Sequence, residues 1–115
     1  MDLIIEKEWK YIPRFRGNET EKEQVTCILQ QLTPIQRERC IETEYGSDGR
    51  GHTTTNLAMV VRFGVKEIKH LSVNGSAVKT GDDLCNAIGA EELYAELASQ
   101  ILSKAAVKGD EVKNS

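Results

Sequence analysis

Leu32-Thr33-Pro34-Ile35-Gln36 fixes one point of the fold more tightly than any other run in the chain. Thr33 can cap a helix, and Pro34 suits the first helical position because its missing N–H would have no partner there. Gln36, three residues after the cap, completes a capping box. The run predicts a helix from Pro34 to about Tyr45. Upstream, Trp9, Tyr11 and Phe15 alternate with polar residues, the period of a strand with one buried face, and Pro13 makes that strand an edge strand or ends it early. Val25, Cys27 and Leu29 repeat the alternation. With the polar, charged stretch 16–23 between them, the two strands read as an antiparallel pair joined by a long, mobile loop.

Downstream, Gly46 to Thr55 contains no apolar residue and reads as a flexible surface loop. A second helix is expected from Asn56 to about His70, because Leu57, Val60, Val61, Gly64, Val65 and Ile68 recur at helical spacing. Gly64 on that stripe costs about 1 kcal/mol in helix propensity, which points to close approach by another element or a local break. Asn74-Gly75 between short apolar flanks predicts a small hairpin over 72–78. Thr80 with Asp83 forms another capping pattern, opening a short helix that ends at Gly89. A last helix, Ala90 to about Ala105, places Leu93, Leu97 and Ile101 on one face, with Glu91 and Glu92 at its positive end.

Together these elements predict an α+β fold. It is an N-terminal antiparallel β-hairpin, extended by the Val73–Val78 segment, packed against about three main helices. With 115 residues, 39% of them apolar, the chain holds one small domain, expected over 1–107, with 108–115 a flexible C-terminal tail. No run approaches the ~20 apolar residues of a membrane span, and the N-terminus lacks the pattern of a signal peptide. No membrane partner is therefore expected, and the expected location is the cytoplasm.

Fifteen bases against eighteen acids give a net charge of −3, which argues against broad adhesion to nucleic acid. The average hides an asymmetry, because residues 61–80 carry net +3 and residues 81–115 net −4. Arg62, Lys66 and Lys69 would share the solvent face of the second helix, a candidate basic face. Met59 and Phe63 lie off its apolar stripe and, with Tyr94 on the last helix, are the candidate protein-interaction residues.

Catalytic patterns are weak. Gly46-Ser47-Asp48-Gly49-Arg50-Gly51-His52-Thr53 matches a phosphate-binding loop at its glycines and Thr53, but His52 stands where the lysine belongs. His52 and His70 share no spacing with Cys40 or Asp48 that assembles a catalytic set, and no metal-ligand cluster is present in the sequence. Cys27, Cys40 and Cys85 form no Cys-x-x-Cys pair and read as small apolar residues. No catalytic residue, cofactor or metal is expected, and the chain is read as a non-enzymatic binding protein.

The order of signals resembles the small tail assembly chaperones of long-tailed bacteriophages and prophages. The resemblance covers about residues 8 to 104. It runs from the strand pair into Leu32-Thr33-Pro34-Ile35-Gln36-Arg37-Glu38-Arg39, then Val60 to Leu71, then Val73-Asn74-Gly75 and Val78-Lys79-Thr80-Gly81-Asp82-Asp83-Leu84 before a final helix. It implies a protein of the bacterial host cytoplasm that binds the tape-measure protein during tail morphogenesis. The tail-tube protein and further copies of the chain are additional expected partners. The resemblance carries over no catalytic or ligand residue. Two other readings stay open: another small phage structural or connector protein, and a small nucleic-acid-binding regulator using the basic helix 56–70.

Overall fold

The computed structural model describes residues 1–114, with side chains described through Lys104. In chain order the elements are β1 (Glu8–Tyr11), a 3-10 turn (Phe15–Thr20), β2 (Thr26–Gln30), α1 (Pro34–Arg39), β3 (Ile41–Tyr45), β4 (Gly51–Thr55), α2 (Leu57–Gly64), β5 (Val65–Lys69), β6 (Ser72–Val73), β7 (Ser76–Ala77), α3 (Gly81–Cys85) and α4 (Glu91–Asn114). The fold is mixed α and β, with the expected hairpin at its N-terminus. The expected tail, 108–115, lies outside the residues whose side chains are described.

β1 and β2 pair antiparallel with Trp9 opposite Leu29 and Tyr11 opposite Cys27. Alternation therefore puts the aromatics and the fully buried Cys27 and Leu29 on one face, which packs against the helices. The connection between the strands is not the mobile loop that its charge suggested. Asn18, 4% exposed, pins it. Its Nδ2 donates to the carbonyls of Pro13 (2.7 Å) and Val25 (3.0 Å), and its Oδ1 accepts from the Val25 N–H at 2.7 Å. The end of β1 is thereby tied to the start of β2.

The third strand of this sheet is β5, not the Val73–Val78 segment, and the order is β1-β2-β5. The helix expected over 56–70 stops at Gly64, and the chain enters β5 with no intervening loop. The register explains why the sequence looked helical. Cys27 faces Ile68 and Ile28 faces Glu67, but Leu29 faces Val65, so Lys66 is an extra residue bulged out of β5. The bulge reverses the alternation, and Val65 and Ile68, three apart, both turn to the core. That spacing is shared by a bulged strand and a helix face.

α1 begins as expected, with the Thr33–Gln36 capping box in place, but it ends at Arg39 rather than near Tyr45. Residues 41–45 and 51–55 form a two-stranded antiparallel hairpin, so the 46–55 stretch is half strand. Ile41 faces Thr55, Thr43 faces Thr53 and Tyr45 faces Gly51. The acids at Glu42 and Glu44 alternate with β-favouring residues, and the threonine run across from them has the same preference. Hydrophobic periodicity could not report this hairpin because every residue in both strands is exposed.

The remaining local signals open the expected elements, but α3 ends at Cys85 rather than at Gly89, and α4 runs from Glu91 to Asn114 rather than from Ala90 to about Ala105. Asn74 and Gly75 both adopt positive φ (51° and 83°), the conformation of a tight primed turn, between β6 and β7. Thr80 and Asp83 make the capping box of α3. α4 buries Leu93, Leu97 and Ile101. Two glycines set the spacing of the helical layer. A Cβ at Gly64 would overlap the Ile101 side chain on α4, and one at Gly81 would overlap the Val61 carbonyl on α2.

Gly64→Ala tests this packing, because alanine gains about 1 kcal/mol of helix propensity while overpacking costs typically 1–3 kcal/mol. The overlap with Cδ1 of the buried Ile101, with its Cγ2 and Cγ1 also tight, decides for the loss, so urea denaturation should show a lower midpoint. A raised midpoint contradicts the close approach. Asn18→Ala strips the Val25 N–H of its partner inside the fold and is expected to cost about 1–3 kcal/mol in the same assay.

Candidate functional site

The candidate basic face does not exist as a stripe. Arg62 lies on α2 while Lys66 and Lys69 lie on β5, because the helix that would have aligned them ends at Gly64. Two of the three already face carboxylates. Arg62 Nε is 3.4 Å from Asp82, and Lys66 Nζ donates to Glu8 at 2.6 Å, a hydrogen bond that raises the lysine above its ordinary pKa. Met59, Phe63 and Tyr94 are half-buried and pack against the core. Their position off the apolar stripe reflects the rim of the core, where a side chain is covered on one side.

The thiols are poor nucleophiles. Burial pushes Cys27 up to about 12, and burial also raises Cys40 and Cys85, so the reactive thiolate is scarce at neutral pH. His52 sits on β4 opposite Glu44, and His70, at φ 64°, closes β5 with its ring 3.8 Å from Glu23. The phosphate-loop-like run supplies the turn and second strand of the β3–β4 hairpin rather than a loop between a strand and a helix. Among the described residues no group of three or more His, Cys, Asp or Glu side chains could hold a metal ion. None of the helices is long and apolar enough to cross a membrane among the described residues.

The surface feature that sequence reasoning missed is a set of exposed apolar side chains on the β3–β4 hairpin, on α1 and in the N-terminal segment. The β3–β4 hairpin is an arm whose main contact with the body, beyond its own pairing, is α1. One arm face presents Ile41, Thr43, Tyr45, Thr53 and Thr55, and the other presents Glu42, Glu44, His52 and Thr54. Ile41 is 53% exposed and Tyr45 77%. At the arm's base a cavity of about 210 Å³ is lined by Leu32, Arg37, Cys40, Ile41, Thr55 and Leu102. Leu32 also lines a groove of about 630 Å³ with Ile5, Pro34 and Gln36. Leu3, Ile4 and Ile5 in the N-terminal segment are exposed, as is Ile35 on α1. Apolar side chains at strand ends and in a structure-poor N-terminus were the available signal.

Exposed apolar surface on strands with free edges can take up an extended or helical segment of another protein, with backbone hydrogen bonds and side-chain pockets sharing the recognition. Comparison with known proteins adds no relative to this geometry: no family model matches the chain, and neither a curated protein nor a solved structure matches it significantly.

One polar cluster ties the sheet to α4. Glu96 accepts from Tyr11 Oη at 2.6 Å and from the Arg14 N–H at 2.8 Å. Burial, then the hydrogen bond to Glu96, lifts Tyr11 from 10.0 to about 12. A raised phenol pKa contributes stability that is complete below pH 10 and lost as pH climbs through about 12. An alkaline absorbance titration should therefore find one of the three tyrosines ionising late, and Tyr11→Phe should remove that step. A wild type with no late-ionising tyrosine contradicts the contact.

Proposed function

We propose that this chain is a non-enzymatic, tail assembly chaperone-like protein of a phage or prophage. It works in the bacterial host cytoplasm and binds the tape-measure protein during tail morphogenesis. The observation that carries the reading is the exposed apolar side chains of the arm, with Ile35 and Ile5, where apolar and threonine side chains stand on backbone that the body does not cover. A chaperone for a long helical client must cover apolar surface temporarily, through contacts that repeat along the client and are individually weak. An exposed arm with an apolar face suits that task better than a deep enclosed pocket. The site moves accordingly from Met59, Phe63 and Tyr94 to Ile5, Ile35, Ile41 and Tyr45. The tail-tube protein is the second partner in this reading, since its polymerisation around the client would release the chaperone.

The mechanism follows from exposure and geometry. Ile41 and Tyr45 stand two pleats apart on one face of β3, so a client presenting apolar side chains at matching intervals meets both at once. Glu42 and Glu44 on the opposite face keep that side of the arm hydrated and limit stacking of arms on one another.

Co-expression with a long tape-measure protein from the same gene neighbourhood, if one is encoded there, tests the reading. The chain should co-purify with that protein, and Tyr45→Ser should weaken binding about tenfold, the loss typical of an aromatic contact at a hot spot. Absence of co-purification, or a gene neighbourhood without a tape-measure gene, contradicts the proposal.

A further inference from the structure

We propose that Asn56 latches the arm: its side-chain amide holds the β3–β4 hairpin, through Glu42, at one angle to α2, and release of that contact lets the hairpin tilt about Cys40 and Asn56. The inference concerns how the arm is held. It goes beyond the client reading and does not rest on it.

Among the described residues, one side-chain hydrogen bond joins residues 41–55 to the rest of the chain: Asn56 Nδ2 donates to Glu42 Oε1 at 2.9 Å. The arm's other hydrogen bonds are internal, comprising the strand ladder and the turn contacts among Gly46, Asp48, Gly49 and Arg50. Among the described residues no ion pair crosses from arm to body. The backbone enters and leaves the arm at one place, where the Asn56 N–H donates to the Cys40 carbonyl at 2.7 Å. Two element-terminal residues of this kind can absorb a change of angle while the rungs beyond them stay intact.

The amide is oriented for the task by a second contact. Asn56 is the N-cap of α2, and its Oδ1 accepts from the Met59 N–H at 3.1 Å. Only the oxygen of the amide can accept, so the nitrogen, with its two N–H groups, is turned away from the helix. Glu42 pairs with Thr54, which lies two places before Asn56 and therefore on the same face of the hairpin. The carboxylate meets the amide along that diagonal. One side chain thus caps a helix of the body with its oxygen and holds the arm with its nitrogen.

The arrangement gives the tilt a direction. Glu42 lies on the arm's charged face, whereas Ile41 and Thr55, on its apolar face, line the cavity of about 210 Å³ beside Leu32, Cys40 and Leu102. With the latch made, that space stays open and Ile41 remains 53% exposed. When Glu42 is drawn away, the arm is free to settle toward the cavity, and burial of Ile41 favours the movement. A partner that takes Glu42 for itself therefore changes the exposure of the opposite face, which couples the two faces of the arm through one carboxylate.

Residual dipolar couplings of the backbone amides, measured on the full chain in a weakly aligning medium, test the latch. In the wild type, the amides of 41–45 and 51–55 should share one alignment tensor with those of β2, α2 and β5. Asn56→Asp keeps an oxygen for the α2 cap, since Asp and Asn cap equally well, but removes the donor to Glu42. Glu42→Ala removes the acceptor and leaves the cap untouched. Each change should cost the arm its common tensor while the couplings of the body stay as they were. Asn56→Asp combined with Glu42→Gln exchanges donor and acceptor, and should restore the common tensor. A wild-type arm with a tensor of its own, an arm that keeps the common tensor in either single variant, or a double variant that fails to restore it overturns the proposal.

Discussion

β5 carries one residue more than the stretch of β2 it pairs with, and the bulge at Lys66 turns both Val65 and Ile68 toward the helices. Without it, strict alternation would send one of these two apolar side chains to the solvent face and open a gap beside Leu29 or Cys27. The bulge also shortens the passage from α2. Because Val65 is both the end of the helix and the first paired residue of the strand, α2 is held against the sheet by the chain itself. Gly64 then lets α4 close on the joint, and Gly81 lets α3 start beside the carbonyls of Val61 and Val65. Sheet, α2, α3 and α4 meet around this short segment.

The body is finished by contacts that tie distant parts of the chain. Asn18 closes the β1–β2 connection from inside, and Glu96 gathers Tyr11 and the Arg14 N–H onto α4. The ion pairs on the surface, the exposed Arg16–Glu92 and the half-buried Lys104–Glu6, contribute little each. Lys104 also sits 5.3 Å above the Trp9 ring, so its stem and charge cover the edge of β1 near the N-terminal segment. Once these contacts are made, the arm and residues 1–5 are left with apolar side chains and no place in the core. Function is therefore sought where the core ends.

Elements announced by side chain to backbone hydrogen bonds could be read directly. The Thr33–Gln36 and Thr80–Asp83 boxes and the Asn74-Gly75 turn are local, and each depends on residues within four positions of one another. The strand pair and α4 were legible because each has one continuous buried face. β5 was not, since a bulge gives Val65 and Ile68 the spacing of a helix, and the identity of the partner strand is set 40 residues away at Cys27–Leu29. The arm was not, since it has no buried face to produce a period; its Asp48-Gly49 turn and Thr53-Thr54-Thr55 run were the remaining signs. The candidate surface followed the same rule. Met59, Phe63 and Tyr94 stood out by departing from a stripe, whereas Ile41 and Tyr45 were hidden inside a predicted helix.

The core is built from the three-stranded sheet and its helices, and the arm touches the body mainly at its base, beside α1. Amide hydrogen exchange on the dilute, single-chain form measures this residue by residue. Slow exchange is expected at Cys27, Leu29 and Ile68 and fast exchange throughout 41–45 and 51–55. Arm amides protected as strongly as those of β2 in the single chain would contradict it.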